Sequence, residues 1–157
     1  MVLGSIFSPD RIKVDLESDD KDEVFEEMVE LYASGQSTVS RNAIITALKK
    51  REEKLSTGIK TGYALPHAQT DQVVSMQGLI GISRKGIDYD ALDGKPVHVV
   101  LMLLASNDDC SFHLRVLKRL SLLIENPEFY QSLITQKDSF GVYNTICKFE
   151  DYLTTSM

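Results

Sequence analysis

Val97-His98-Val99-Val100-Leu101-Met102-Leu103-Leu104-Ala105 is the longest apolar run in the chain. A helix that crosses a membrane needs about 20 apolar residues, so this run has the length of a buried strand. Just before it, Ala91 to Lys95 reads as a turn. Asp93-Gly94 supplies the mechanism, because glycine accepts positive φ at no steric cost. Gly78 to Ser83 is a second strand-like stretch. Further upstream, Arg11-Ile12-Lys13-Val14-Asp15-Leu16 alternates polar and apolar residues, the period of a half-buried strand.

Helical patterns fill the remaining segments. Ser18 or Asp19 is placed to cap a helix whose apolar stripe is Val24, Phe25, Met28, Val29 and Tyr32 and whose stop is Gly35. Ser40 caps a second helix that runs to about Glu53 and buries Ile44, Ile45 and Leu48. Its basic end, Lys49-Lys50-Arg51, suits the negative pole of the helix dipole. A third helix begins near Ser111, with Leu114, Leu117, Leu120, Ser121 and Ile124 at helical spacing. Asn126-Pro127-Glu128 starts a fourth, to Thr135, and Asp138 to Leu153 gives one more. Helices paired between separated strands predict a layered α+β domain with a mixed sheet. No repeat or linker divides the 157 residues, so 1–157 reads as one domain.

The charge balance, 17 Lys and Arg against 23 Asp and Glu, gives a net −6. That argues against a broad phosphate-tracking surface and hence against nucleic acid as a partner, while leaving room for a local basic pocket. The first residues lack the basic start of a signal peptide, and the reading is a cytoplasmic protein without membrane insertion. Cys110 and Cys147 are far apart and read as reduced thiols. Three scattered His and two scattered Cys show no metal-ligand spacing, so no metal is expected.

Chemistry points to His67. The fixed φ of Pro66 stiffens the chain entering it, and Gly58 and Gly62 upstream allow backbone to approach a small anion. Neutral imidazole is a competent nucleophile near pH 7. The plain alternative is a loop histidine that satisfies a turn. His113, near the start of the third helix, is placed to stabilise an anion, or simply to pack at the surface. Arg51 offers a planar cationic fork for phosphate oxygens; otherwise it caps its helix or pairs with an acid such as Glu52. His98, inside the apolar run, reads as a satisfied sheet residue. P-loop, Rossmann and nucleophile-elbow motifs are missing.

Taken together, Arg51-Glu52, Ser56-Thr57-Gly58-Ile59, Ala64-Leu65-Pro66-His67-Ala68 and His113-Leu114 resemble the fructose/mannitol-type enzyme IIA domain of the bacterial phosphoenolpyruvate–sugar phosphotransferase system, which includes nitrogen-regulatory members. Gly86-Ile87-Asp88-Tyr89-Asp90 and Asp93-Gly94-Lys95-Pro96-Val97 resemble its central segment. The resemblance implies a three-layer α/β/α domain whose mixed sheet is flanked by helices. It implies that His67 carries a phosphoryl group on Nε2, received from HPr or a nitrogen-branch HPr homologue, with His113 and Arg51 stabilising it and no cofactor or metal. The recipient is an enzyme IIB or a regulatory target. The opening Leu3-Gly4-Ser5-Ile6-Phe7-Ser8-Pro9 looks closer to the nitrogen-regulatory branch; a sugar relay and a binding domain without phosphotransfer are the alternatives. Lys60 stands where the family commonly has glycine, so it either strains a φ > 0 position, adds charge near the phosphoryl group, or sits exposed on a shifted loop.

Overall fold

A computed structural model describes residues 2–108 and 110–155, without the side chain of Cys110. Among these residues five strands form one sheet: β1 (Ile12–Lys13), β2 (Tyr63–Ala64), β3 (His67–Gln69), β4 (Gln77–Ile87) and β5 (Val97–Ala105). The order is β1-β4-β5-β2, with β3 also on β5. β4 and β5 are antiparallel, whereas β1 runs parallel to β4, and β2 and β3 parallel to β5. The sheet is therefore mixed, as expected. β2 and β3 keep one register along β5, Tyr63 opposite Val99 and His67 opposite Leu103. They are one strand broken at Leu65-Pro66, where proline has no amide hydrogen to give the ladder. The Pro66 carbonyl still accepts from the Leu103 amide at 3.0 Å.

Among the described residues six α-helices cover the two faces: α1 (Leu3–Ile6), α2 (Lys21–Ala33), α3 (Arg41–Lys54), α4 (Cys110–Ile124), α5 (Pro127–Ile134) and α6 (Ser139–Thr155). α2 and α3 pack on one face through Phe25, Met28, Ile44 and Leu48 against Leu79, Val100, Met102 and Leu104. The other four pack on the opposite face against Ile80, Ile82, Val99, Leu101 and Leu103. β5 thus feeds both cores by alternation. The alternation breaks at its start, where the β4–β5 register shifts between Ile82 and Ile87 and turns Val97 toward the α2/α3 side.

Three boundaries or phases differ from the sequence expectation. Asp20, not Ser18 or Asp19, caps α2, its side chain accepting from the Glu23 amide at 2.9 Å. Asp19 and Asp20 are held against Asp88 by backbone pairing, which delays the helix. β1 is shorter than Arg11 to Leu16, because Pro9 starts a 3-10 turn that includes Arg11. On α4 the buried residues are His113, Val116, Leu120, Leu123 and Ile124, while Leu114 is 66% exposed and Ser121 faces solvent. Leu120 and Ile124 are buried as expected and Leu117 packs partly buried against the core, whereas His113, Val116 and Leu123 replace Leu114 and Ser121 on the inward face. The core selects the face that seats His113 inward, and a pattern of leucines alone does not reveal that choice. The caps at Ser40 and Asn126 form as expected, with side chains accepting from Ala43 and Glu128 amides.

Candidate functional site

β3 lies between the C-terminal end of α3 and the start of α4, and this gap brings the three expected residues together. His67 Nδ1 lies 2.9 Å from the Leu65 carbonyl oxygen. A carbonyl only accepts, so the ring hydrogen sits on Nδ1. Nε2 therefore presents its lone pair, and Arg51 Nε donates to it at 3.2 Å. Burial pushes the His67 pKa below its usual 6.5, and the Arg51 charge adds to that; the Leu65 hydrogen bond and Glu52 oppose it. His67 is held neutral with a defined tautomer.

His113 comes from the first turns of α4 with its ring centroid 5.4 Å from that of His67. It is buried, and its Nδ1 has no hydrogen-bond partner among the described residues. Burial, then the proximity of His67, lowers its pKa too. Arg51 combines two of the roles open to it: Nη1 caps the end of α3 at the Leu55 carbonyl, 2.8 Å away, while Nε serves His67. It does not pair with Glu52.

Glu52 is the residue whose importance sequence reasoning missed. Its side chain is turned away from Arg51 and takes the Thr57 amide at 2.9 Å and the Thr57 hydroxyl at 2.6 Å. The Tyr89 hydroxyl donates to it at 3.3 Å, and Lys21 Nζ pairs with it at 3.0 Å. Burial pushes the carboxyl pKa up, yet Thr57 and Lys21 outweigh this and leave it below the usual range. This network ties α2, α3 and the 55–62 loop together behind Arg51. The signal available in the sequence was the Arg51-Glu52 pair beside a small-residue loop.

A cavity of about 340 Å³ opens onto His67 and is lined by Ala47, Lys50, Arg51, Lys54, Ala68, Gln69 and His113. Among the described residues no carboxylate lines it, and its cations Lys50, Arg51 and Lys54 make it a local basic pocket on an acidic protein. Lys50, Arg51 and Lys54 share a helix face by their three- and four-residue spacing. A larger groove of about 840 Å³, edged by Arg11, Lys13, Glu27 and Glu30, holds no histidine.

The glycine-rich segment does something other than cradle an anion. A Cβ on Gly58 would lie 2.7 Å from the Ala91 Cβ, and one on Gly62 2.9 Å from the Tyr130 ring. Both glycines serve close packing, and neither lines the cavity. Gly62, at φ +84, also makes the turn that begins at Lys60. Lys60 itself has no positive φ and is exposed outside the cavity, so it stores no strain of that kind. His98 is satisfied, with Nδ1 2.9 Å from the Ser83 carbonyl. Cys147 is a free thiol. Among the described residues no group of His, Cys, Asp and Glu is arranged to hold a metal ion, and no helix is long and apolar enough to cross a membrane.

Comparison with known proteins matches the sequence and the fold of the chain to a family. A model described as "Phosphoenolpyruvate-dependent sugar phosphotransferase system, EIIA 2" covers residues 5–148. The PTS system fructose-specific EIIABC component of Bacillus subtilis (strain 168) is 34% identical over 146 residues, 93% of this chain. The match covers 23% of that protein, so the chain spans about a quarter of its length. The crystal structure of nitrogen regulatory protein IIA-Ntr from Neisseria meningitidis superposes with a TM-score of 0.85 at 30% identity, covering 92% of this chain and 99% of that one. Enzyme IIAMTL in its complex with phosphorylated enzyme IIBMTL from Escherichia coli gives 0.74 at 16% identity, covering 90% and 99%, a likeness of fold.

Proposed function

Because the chain belongs to the EIIA 2 family of the phosphoenolpyruvate-dependent sugar phosphotransferase system, we propose that it is a phosphoryl carrier whose acceptor atom is Nε2 of His67. The observation that carries this reading is the pair of partners on that ring: a carbonyl fixing the hydrogen on Nδ1 and a guanidinium on Nε2. The donor is phosphohistidine HPr or its nitrogen-branch homologue. The Nε2 lone pair attacks phosphorus in line, the donor's N–P bond breaks, and its electron pair returns to the donor imidazole. Positive charge develops on the His67 ring and is spread through Nδ1–H to the Leu65 carbonyl. The Arg51 guanidinium leaves the lone pair and takes the phosphoryl oxygens, and His113 faces them from α4. The catalytic contribution is positioning and charge stabilisation, which these residues supply without a metal.

The regulatory, nitrogen-type role is supported by the likeness to IIA-Ntr. There the phosphoryl group adds roughly −1.5 to −2 charge, enough to change which target docks. The sugar-relay reading has its own support in the 34% identity to a fructose-specific component, and its acceptor would be an enzyme IIB.

The test mixes the protein with phosphoenolpyruvate, enzyme I and HPr or its homologue and follows intact mass. An acid-labile phosphate mapped to His67, absent in His67→Ala and acquired more slowly in His113→Ala, is the expected result. Full-rate labelling of His67→Ala overturns the assignment.

A further inference from the structure

Arg51 is held at two points. Its Nη1 rests on the Leu55 carbonyl at 2.8 Å while Nε reaches His67 Nε2 at 3.2 Å. Two residues after Leu55, the Thr57 amide and hydroxyl both donate to Glu52. Whatever fixes Thr57 therefore also fixes the carbonyl on which the guanidinium rests. Thr57 gives its single hydroxyl hydrogen to Glu52, so in the 2.8 Å contact between the Tyr89 and Thr57 hydroxyls it is Tyr89 that donates. The same hydrogen also reaches Glu52 at 3.3 Å. Burial, then the Glu52 charge, pushes the Tyr89 pKa up and keeps that hydrogen on the phenol.

Packing alone does not call for this hydroxyl. Tyr89 is fully buried, its ring set edge-on to Phe25 at 6.3 Å, with Lys21 Nζ 4.9 Å from the ring centre. A phenylalanine would keep both contacts, and a buried hydroxyl carries a desolvation cost that only its bonds offset. The chain leaves Tyr89 through Asp90 at φ +58, the one non-glycine residue with positive φ among the described residues. Backbone held in such a conformation gathers at functional sites. Ala91 then packs against Gly58, and the Leu92 amide donates to the Gly58 carbonyl at 3.0 Å. A segment more than 30 residues away, as the Thr57 and Tyr89 pairing measures it, thus closes around the loop that carries the Arg51 anchor.

We propose that Tyr89 is a positioning residue for phosphoryl transfer, its hydroxyl acting through Thr57 and the Leu55 carbonyl on the Arg51 guanidinium. The proposal rests on the reading of His67 as phosphoryl acceptor. As the phosphoryl group arrives, Arg51 turns Nε from the His67 lone pair to the phosphoryl oxygens while Nη1 keeps the Leu55 carbonyl as its pivot. The Tyr89 hydroxyl stops that pivot from drifting, and a drift of about 1 Å costs as much as about a hundredfold in rate.

The experiment measures kcat and KM for loading of His67 from phosphorylated HPr or its nitrogen-branch homologue. In Tyr89→Phe, kcat falls about fivefold while KM for the donor stays within about twofold, because the loss lies in transfer geometry. Thr57→Val removes the middle hydroxyl and lowers kcat in the same way. Tyr143→Phe deletes a hydroxyl of the same kind from the Gly4 carbonyl on the far face, and its kcat stays within about twofold of wild type. In an Arg51→Lys background, which lacks the guanidinium's planar fork, Tyr89→Phe lowers kcat no further. In the unphosphorylated protein, hydrogen exchange at the Arg51 Nε–H quickens in Tyr89→Phe and not in Tyr143→Phe. With wild type labelled normally, three results overturn the positioning role alone: an unchanged kcat in Tyr89→Phe, a loss confined to KM, or an equal loss with and without Arg51→Lys. Absence of labelling in wild type overturns the carrier reading and this role with it.

Discussion

Glu52 and Glu150 are both buried carboxylates, and the company each keeps differs. Glu52 is held mostly by side chains from separate elements, Thr57 from a loop, Tyr89 from the segment after β4 and Lys21 from α2, with the Thr57 amide as its one backbone donor. Glu150, on α6 and fully buried, is surrounded by backbone. It accepts from the amides of Val2 at 3.1 Å, Leu3 at 3.0 Å and Gly4 at 3.3 Å, with Arg119 at 3.4 Å. Tyr143 completes the clamp by donating to the Gly4 carbonyl at 2.7 Å. One carboxylate orients a loop and a helix end beside His67; the other pins the four-residue α1 onto α6, on the far face of the sheet. A buried charge is tolerated where enough donors replace its water. What those donors belong to decides whether it serves chemistry or stability.

The largest effect that separates the two is on stability. Glu150→Ala strands three amide hydrogens and the Arg119 charge, and we expect a loss of about 3 kcal/mol. That is a little over a hundredfold in the unfolding equilibrium, read by denaturant titration, with loading per folded molecule within about twofold of wild type. A variant that stays stable but loads poorly breaks the contrast.

Next in size is Glu52→Gln. It keeps the shape but removes the charge that Lys21 pairs with, loosening the support behind Arg51; loading is expected to slow about tenfold. Chemical denaturation of the same variant should show a smaller change than Glu150→Ala does.

The smallest effect is the most specific. The Glu52 charge raises the His67 pKa, whereas burial and Arg51 lower it. Loading therefore holds steady above the usual 6.5 and falls only at lower pH, where His67 takes a proton. In Glu52→Gln that acid limb moves to still lower pH, and in Glu150→Ala it stays in place. A pH–rate profile unmoved by Glu52→Gln would leave Glu52 a purely mechanical role. Stability carries the matching sign. With His67 and His113 both depressed, the unfolded chain binds protons first, so stability is full above 6.5 and is lost as pH falls through their lowered values.

The sequence by itself determined the elements whose signals are local. The period-two and period-three-to-four patterns, the caps at Ser40 and Asn126, the punctuation at Gly35 and Asp93-Gly94, and the apolar run of β5 all needed only near neighbours. His67, Arg51 and His113 were legible as a set because their order and residue types resemble a known family. Tertiary structure decided whatever depended on distant partners. The core set the phase of α4, burying His113 and exposing Leu114, because a helix with leucines on more than one face has no preferred rotation until the sheet supplies one. Pairing with Asp88 moved the α2 cap to Asp20. Close packing against Ala91 and Tyr130 assigned Gly58 and Gly62 to contact rather than to anion binding. Glu52 and Glu150 look alike in sequence, two acids near helix ends. Only folding decides which donors reach them, since a carboxylate's role is set by partners up to 148 positions away.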